Sequence, residues 1–257
     1  MDTTSKVGIL RWRNGKQSLE EDTVIVEYPL TLLRNGEELE TYLCTPNSLK
    51  ELVSGFLLSE GFIDDTNEIS ELTIDEEHGQ ALVMTSSKRP LREKLIGRRT
   101  ITSGCGKGTS FYNAVDAARA VRIIEDIEAD PELILKLMRE FNQSSELFRE
   151  TGGVHGCALS YSKGILFSEE DIGRHNAMDK LIGRARLERI DLSDKFVLTT
   201  GRISSELLIK ASKQGIPIIA SRSAPTELAI KLAKETGVTL IGFARGDKLN
   251  IYSSNMK

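Results

Sequence analysis

The sequence predicts an α/β protein, with a smaller β-rich N-terminal domain ahead of a C-terminal α/β/α domain. Three observations carry this reading. Residues 1–110 break into short β-like runs separated by turns, residues 111–150 switch to helical spacing, and residues 151–257 alternate β and α elements. A chain of 257 residues fits one large domain or two modest ones, and this division favours two.

In the first region, Asp22 to Tyr28 carries Val24 and Val26 on one face of a strand. Leu30 to Leu33 leads into Arg34-Asn35-Gly36-Glu37 and then Leu39 to Cys44, and Asn-Gly between two such runs is a hairpin signal. Leu49, Leu52, Val53, Phe56 and Leu57 recur at helical spacing, with Asn47 or Ser48 as N-cap and Gly61 as the stop. Ile69 to Ile74 and Gln80 to Thr85 form a second strand pair around His78-Gly79.

The middle region, Phe111 to Phe148, has Val115, Ala118, Val121 and Ile123, then Pro131 at a helix start followed by Leu133, Leu137 and Phe141. These helices bridge the two halves. Beyond Gly153 come strands Cys157 to Tyr161 and Ile165 to Ser168, and a helix through Ala177 to Arg186. Strand Phe196 to Thr199, helix Ser204 to Gln214, strand Pro217 to Ser221, helix Pro225 to Glu235, and strands Thr239 to Phe243 and Lys248 to Tyr252 complete the chain. The later strand-helix-strand units require right-handed crossovers and therefore parallel strands covered by helices.

Composition excludes several classes. Hydrophobic residues at 39%, charged residues at 28% and 21 glycines describe an ordinary globular protein. No apolar run approaches the ~20 residues of a membrane span, and Met1 to Arg13 lacks the apolar stretch of a secretory signal, so the cytoplasm is the default. A net charge of -4 argues against non-specific nucleic-acid binding. Positive charge is local, in Arg92 to Lys107 and around Arg245 and Lys248. Cys44, Cys105 and Cys157 are odd in number and widely spaced, which suits neither a disulfide framework nor a zinc site, since no C-x-x-C occurs.

Among them Cys105 stands apart. It lies in Thr102-Ser103-Gly104-Cys105-Gly106-Lys107-Gly108-Thr109, where glycines let a partner approach, and Arg98, Arg99 and Lys107 favour thiolate over thiol. Lowering a thiol pKa from ~8.5 to ~6.5 raises the thiolate share at neutral pH from roughly 3% to roughly 75%. That pattern suits a nucleophile.

Five further segments carry polar chemistry. Glu169-Glu170-Asp171 precedes a helix beginning Arg174-His175-Asn176; the acids suit the helix dipole, whereas the basic pair points to function or to a partner contact. Thr151 to Cys157 is a glycine-rich turn holding His155. Thr199 to Glu206 and Ser221 to Thr226 are strand-to-helix turns able to receive an anion, and at neighbouring strand ends they form a polar crevice lined by His155, Arg174 and His175. Pro225 suits the first helical turn. Phe243-Ala244-Arg245-Gly246-Asp247-Lys248 combines a ring, a guanidinium and a carboxylate, which suits phosphate plus base recognition or a charged hairpin turn.

Together the segments TSGCGKG, TGGVHGCAL, EDIGRHNAMDKLIG, TGRISSELLIKA, GIPIIASRSAPTELAI and GFARGDKLNIY resemble the FdhD family of formate dehydrogenase accessory sulfurtransferases, from about Val24 to Tyr252. The resemblance implies a cytosolic homodimer whose C-terminal domain is similar to the cytidine deaminase fold. It also implies an activity: sulfane sulfur from a cysteine desulfurase is passed to the bis-molybdopterin guanine dinucleotide form of the molybdenum cofactor before that cofactor enters formate dehydrogenase. By the same resemblance Cys105 matches the persulfide-bearing cysteine, and Phe243, Ala244, Arg245, Gly246, Asp247 and Lys248 match the segment assigned to the guanine dinucleotide. Many members carry C-x-x-C at the loop, whereas Gly108 stands at the second position here, so a relay to a second loop thiol is excluded. Two rivals predict different behaviour. A non-catalytic cofactor chaperone would need no Cys105, and a zinc deaminase would use His155, Cys157 and Cys105 as ligands but lacks the H-x-E and P-C-x-x-C of that class.

Overall fold

The computed structural model describes residues 1–86, 123 and 130–254. Cys105, with the basic and glycine residues around it, lies outside the described residues.

The chain opens with an antiparallel hairpin of β1 (Thr4–Arg13) and β2 (Lys16–Ile25), turned at Asn14 and Gly15 with φ of 50° and 77°. Two successive positive φ values make the tight turn that matches strand twist, and Asn-Gly is the pair that adopts it. The sequence reading placed a strand over Asp22 to Tyr28 instead, and this is a correction. β2 ends at Ile25 and a new strand, β3 (Tyr28–Arg34), begins after two residues. The hairpin has no buried face, so its apolar residues do not alternate as those of a half-buried strand do.

β3 pairs with β4 (Glu37–Cys44) through the expected Asn35-Gly36 turn. Helix α1 (Leu49–Glu60) and a 3-10 turn at Thr66–Glu68 lead to β5 (Ile69–Asp75) and β6 (Gln80–Thr85), which close a four-stranded sheet of order β4-β3-β6-β5. Ser48 is the N-cap of α1, but its hydroxyl donates to Glu169 at 2.7 Å and does not cap the helix.

Helices α2 (Pro131–Ser144) and α3 (Glu146–Thr151) precede a six-stranded sheet. Its strands are β7 (His155–Tyr161), β8 (Gly164–Asp171), β9 (Phe196–Thr199), β10 (Ile218–Ser221), β11 (Thr239–Arg245) and β12 (Lys248–Ser253), in the order β12-β11-β10-β9-β7-β8. The three middle strands β9, β10 and β11 are parallel, joined by helices α5 (Ser205–Lys213) and α6 (Glu227–Thr236). Antiparallel pairings attach β7, β8 and β12.

Alternation along the strands feeds two cores. Cys157, Leu159, Val197, Ile219 and Leu240 face a large cluster built with α1, α5, α6, helix α4 (Arg174–Leu187) and the inner face of the N-terminal sheet. Ala158, Phe196, Leu198, Ile218 and Ala220 face the other way, onto Ile134, Leu137, Met138 and Phe141 of α2. The result is a layered helix-sheet-helix arrangement whose principal core is continuous with the N-terminal strands.

Two contacts bind the N-terminal strands to that layer. Helices α1 and α4 cross where Gly55 meets Gly183: a Cβ at Gly55 would sit 1.8 Å from the Asp179 carbonyl oxygen, and one at Gly183 would sit 1.9 Å from that of Glu51. Nearby, Lys180 Nζ lies 2.7 Å from Asp171 Oδ2, with both side chains at 0% exposure. Lys180 also donates to Thr45 O, Asn47 Oδ1 and Glu170 O, while Asp171 accepts from the backbone N–H of Thr45 and Gly173 and from Asn176 Nδ2. Glu169 pairs with Arg184 and Glu170 accepts from Ser145. The three acids are therefore spent on specific partners, and the dipole role read for them narrows to Asp171, which accepts from the N–H of Gly173, the N-cap of α4, while Glu169 and Glu170 pair elsewhere.

Gly55→Ala or Gly183→Ala will cost about 3 kcal/mol or more, because the intruding atom meets backbone that has no rotamer to yield. Gly8→Ala, with open space around the position, is the control that leaves the thermal midpoint unchanged. Asp171→Asn strands the Lys180 ammonium in the interior and will lower the denaturation free energy by about 3–5 kcal/mol in urea titrations.

Candidate functional site

The parallel strands β9, β10 and β11 all end at one sheet edge, where β7 begins and β8 ends. Hydrogen bonds stitch the loops at this edge in series. Thr199 Oγ1 donates to Gly156 O at 3.2 Å and accepts from the Gly201 N–H at 3.2 Å, and Thr200 Oγ1 accepts from the Gly156 N–H at 3.0 Å. Ser221 Oγ donates to Gly201 O at 2.7 Å and accepts from the Ser223 N–H, and the Phe243 N–H donates to Ser223 O at 3.1 Å. Ile203 and Pro225 form a parallel bridge between the two strand-to-helix turns. Pro225 thus lies outside the helix, with Thr226 as N-cap, which corrects its placement in the first turn. A continuous polar rim runs from His155 to Phe243, across three strand intervals or about 14 Å.

His155, Arg174 and Gly201 meet at one end of this rim. A Cβ at Gly201 would lie 3.0 Å from Arg174 Cβ and 3.6 Å from His155 Nδ1, so the bare backbone of the loop is what lets the basic side chains approach it. His155 Nδ1 is 3.4 Å from Thr200 Oγ1. Its pKa is lowered by burial and by the Arg174 charge. The N-terminus of α4 points into the same edge with Gly173 as N-cap and no side-chain cap, and its positive dipole end beside Arg174, with the Asp171 charge matched by Lys180, favours a bound anion.

His175, read from sequence as a crevice residue, turns instead toward α5. Its Nε2 lies 3.2 Å from Glu206 Oε2, with 21% of the His175 side chain and 3% of the Glu206 side chain exposed. Burial is the main reason its pKa falls to about 3, with Lys210, Arg174 and His155 adding in the same direction. His175 is thus a neutral imidazole wedged between α4 and α5. Glu206 escaped the sequence reading as a partner because nothing in a helix's first turn marks one acid as buried. Behind it Lys210 is enclosed by Asp179 at 2.6 Å and Glu60 at 3.7 Å, and these carboxylates keep it charged by raising its pKa against the effect of burial.

The other end of the rim is the β11-β12 hairpin. Phe243 has φ of 53°, a left-handed conformation costly for a bulky residue and concentrated at functional sites. The Arg245 guanidinium lies 5.6 Å from the centre of its ring, Ala244 is buried, and Gly246-Asp247 form the turn between Arg245 and Lys248. Arg245, Asp247 and Lys248 are exposed. Helix α2, which the sequence marked only as a bridge, supplies two further groups: Arg139 donates to Gly246 O, and Asn142 Oδ1 accepts from Arg222 at 3.0 Å.

Two of the three cysteines are unsuited to nucleophilic work. Cys44 and Cys157 are buried, and burial pushes each thiol up to about 12. Cys157 also donates to Thr199 Oγ1 at 3.5 Å. A thiol so committed does not suit the zinc-ligand role that a deaminase would give it.

Fold and rim define the class: an α/β protein with a polar rim of hydroxyl and basic side chains at the carboxyl edge of its sheet. The chain belongs to the FdhD/NarQ family, which it matches over residues 25–257. It is 47% identical to a sulfur carrier protein FdhD of Bacillus licheniformis over 251 residues, covering 98% of this chain and 95% of that one. A protein of the same name from Listeria monocytogenes is 45% identical, with 98% of each chain covered. A solved structure assigned as a formate dehydrogenase accessory protein, from Desulfotalea psychrophila, superposes with a TM-score of 0.81 at 27% identity and covers 99% of both chains.

The neutral state of His175 makes stability depend on pH. An unfolded chain protonates this imidazole near pH 6.5, whereas the folded chain resists to about 3, so the unfolded state binds more protons between those values and stability falls as pH is lowered through them. His155 acts in the same sense. Urea titrations from about pH 7 to about pH 5 will show a loss approaching about 1.4 kcal/mol per pH unit from His175 alone, and His175→Asn will flatten that slope.

Proposed function

We propose that this protein is a sulfur carrier that serves formate dehydrogenase from the cytoplasm. Its membership of the FdhD/NarQ family, with near full-length relatives named sulfur carrier protein FdhD, is the observation that carries the reading. Cys105 is the carrier. Of the three cysteines, Cys44 and Cys157 are held as buried thiols, which leaves Cys105 as the candidate nucleophile.

The Cys105 thiolate attacks the outer sulfur of a persulfide on a cysteine desulfurase. The donor's S–S bond breaks, its cysteine leaves as thiolate, and Cys105 gains the new S–S bond with no change in total oxidation state. In the second step the Cys105 S–S bond breaks, Cys105 leaves as thiolate, and the sulfane sulfur goes to the bis-molybdopterin guanine dinucleotide cofactor, the substrate of the protein destined for formate dehydrogenase, whose reduced metal centre would supply the two electrons that bring it to sulfide. With Gly108 in place of a second loop thiol, the persulfide waits on one cysteine.

The sheet edge suits such a substrate. Arg174, His155 and the Gly201 backbone gather at one end of the rim, where they meet the requirements of a pyrophosphate, and Phe243 with Arg245, Asp247 and Lys248 offers a ring, cations and a carboxylate to guanine at the other. The span of about 14 Å between them is on the scale of a dinucleotide. The layered mixed sheet also supports likeness of the C-terminal region to the cytidine deaminase fold, and the active assembly is a homodimer.

Incubation with a cysteine desulfurase and free cysteine, followed by mass spectrometry of peptides, will find one added sulfur on Cys105 and none on Cys44 or Cys157. Cys105→Ala will abolish activation of formate dehydrogenase while guanosine diphosphate still binds. An unmodified Cys105 under turnover rejects sulfur transfer, and a fully active Cys105→Ala protein identifies a cofactor chaperone instead.

A further inference from the structure

The hairpin β1-β2 is hard to account for within one chain. Its strands run ten residues each, yet an isolated two-stranded ribbon is at best marginally stable in water. Among the described residues, its ties to the body are at the root. The Val26 N–H donates to Thr3 O, β2 packs against α3, and Ile25 lies against Gly153. The register places Leu10 opposite Leu19 and Trp12 opposite Gln17 on one face of the tip. Leu10 is 59% exposed, Trp12 66% and Leu19 87%, an apolar patch that a solitary arm would not keep in water. The other face carries Arg13 and Lys16 at the tip, with Arg11 behind them paired to Glu20 and Asp22, and no acid occurs from Trp12 to Leu19.

The same chain holds a surface of opposite character. A cleft of about 410 Å³ lies between α1 and β5, floored by Leu49, Leu72 and Ile74 and edged by Lys50, Glu51 and Glu76. The segment beside it carries Asp64, Asp65, Glu68, Glu71 and the run Asp75–Glu77 with no Lys or Arg. Strand β5 is an edge strand of its sheet, and acidic side chains discourage it from pairing with another neutral edge while favouring a basic arm.

An arm cannot fill the cleft of its own chain. The Met1 ammonium lies 3.9 Å from Glu76, so the arm is rooted beside that cleft. At about 3.3 Å per residue the tip stands on the order of 30 Å away. A second copy related by a two-fold axis solves both problems, because each arm then reaches the cleft of the other copy. We propose that the β1-β2 arm docks on a second copy of this chain, with Leu10, Trp12 and Leu19 seated in the α1-β5 cleft and the basic tip residues against the acidic segment of β5. This names the contact for the two-copy assembly in the proposed function and rests on that part of the reading. The arm lies almost wholly ahead of residues 25–257, the span matched to the family.

Trp12 is the single tryptophan of the chain, so its fluorescence reports the contact directly. Sedimentation of the full chain should show a dimer with blue-shifted emission that moves to the red as dilution releases monomers. Trp12→Ser, at an exposed position outside the core, should keep the thermal midpoint of the monomer and weaken dimerisation at least tenfold. Arg13→Glu and Glu51→Lys should each weaken it, and the two together should restore it. A dimer whose Trp12 emission stays that of an exposed indole overturns the arm contact and leaves the two-copy reading standing. A monomer at every concentration overturns both, and a monomer with blue-shifted Trp12 shows the arm covered within its own chain.

Discussion

The buried pair of Asp171 and Lys180 is the constraint on which the arrangement of the site depends. Two full charges without solvent are tolerable only if each finds partners in every direction, and here they do so by drawing on three stretches of chain at once. The Thr45-Asn47 turn arrives from the N-terminal sheet, Glu170 from β8, and Gly173 with Asn176 from the start of α4. An apolar replacement of similar volume would fill the space but would not orient these stretches. Directional bonds to a fixed charge set the angle at which α4 enters the sheet edge, and with it the positions of Arg174 and His175.

This economy of acids also explains the electrostatics of the rim. A helix beginning just after Glu169, Glu170 and Asp171 would ordinarily have its dipole neutralised by them. Because Glu169 and Glu170 face partners elsewhere and the Asp171 charge is matched by Lys180, the half-buried first turn of α4 keeps its positive character beside Arg174 and His155. The stitched threonine and serine hydroxyls give the rim its shape without adding charge. Shape and charge are thus supplied by different residues, and neither depends on a flexible surface side chain.

Most of the fold was legible in the amino-acid order. Strand boundaries in the C-terminal region came from apolar runs with one partner face each, and Gly61 and Pro131 marked helix ends by their chemistry. What escaped was whatever depends on non-local burial. The β1-β2 hairpin has no buried face and so no period-two pattern, although its Asn14-Gly15 turn was written in plain residues. Likewise His175 reads as a free imidazole until Glu206, 31 residues later in the chain, is brought against it by the packing of α5 on α4. Asp171 and Lys180 show the same limit from the other side, since nine residues apart they read as ordinary surface charges. Local sequence reports periodicity and turn chemistry well, whereas the identity of a buried charge's partner is a property of the tertiary fold.

The contact of Gly55 with Gly183 has a mechanical side. Where helices meet through side chains, rotamer changes form a soft layer that absorbs small displacements. Here backbone rests on backbone, with no such layer at the crossing. A shift of α1 is therefore handed to α4 at nearly full amplitude and arrives at Arg174, about two and a half turns away along a rigid rod. Any load placed on the N-terminal sheet is felt at the rim, which makes the pair of glycines a stiff coupling between the two ends of the molecule.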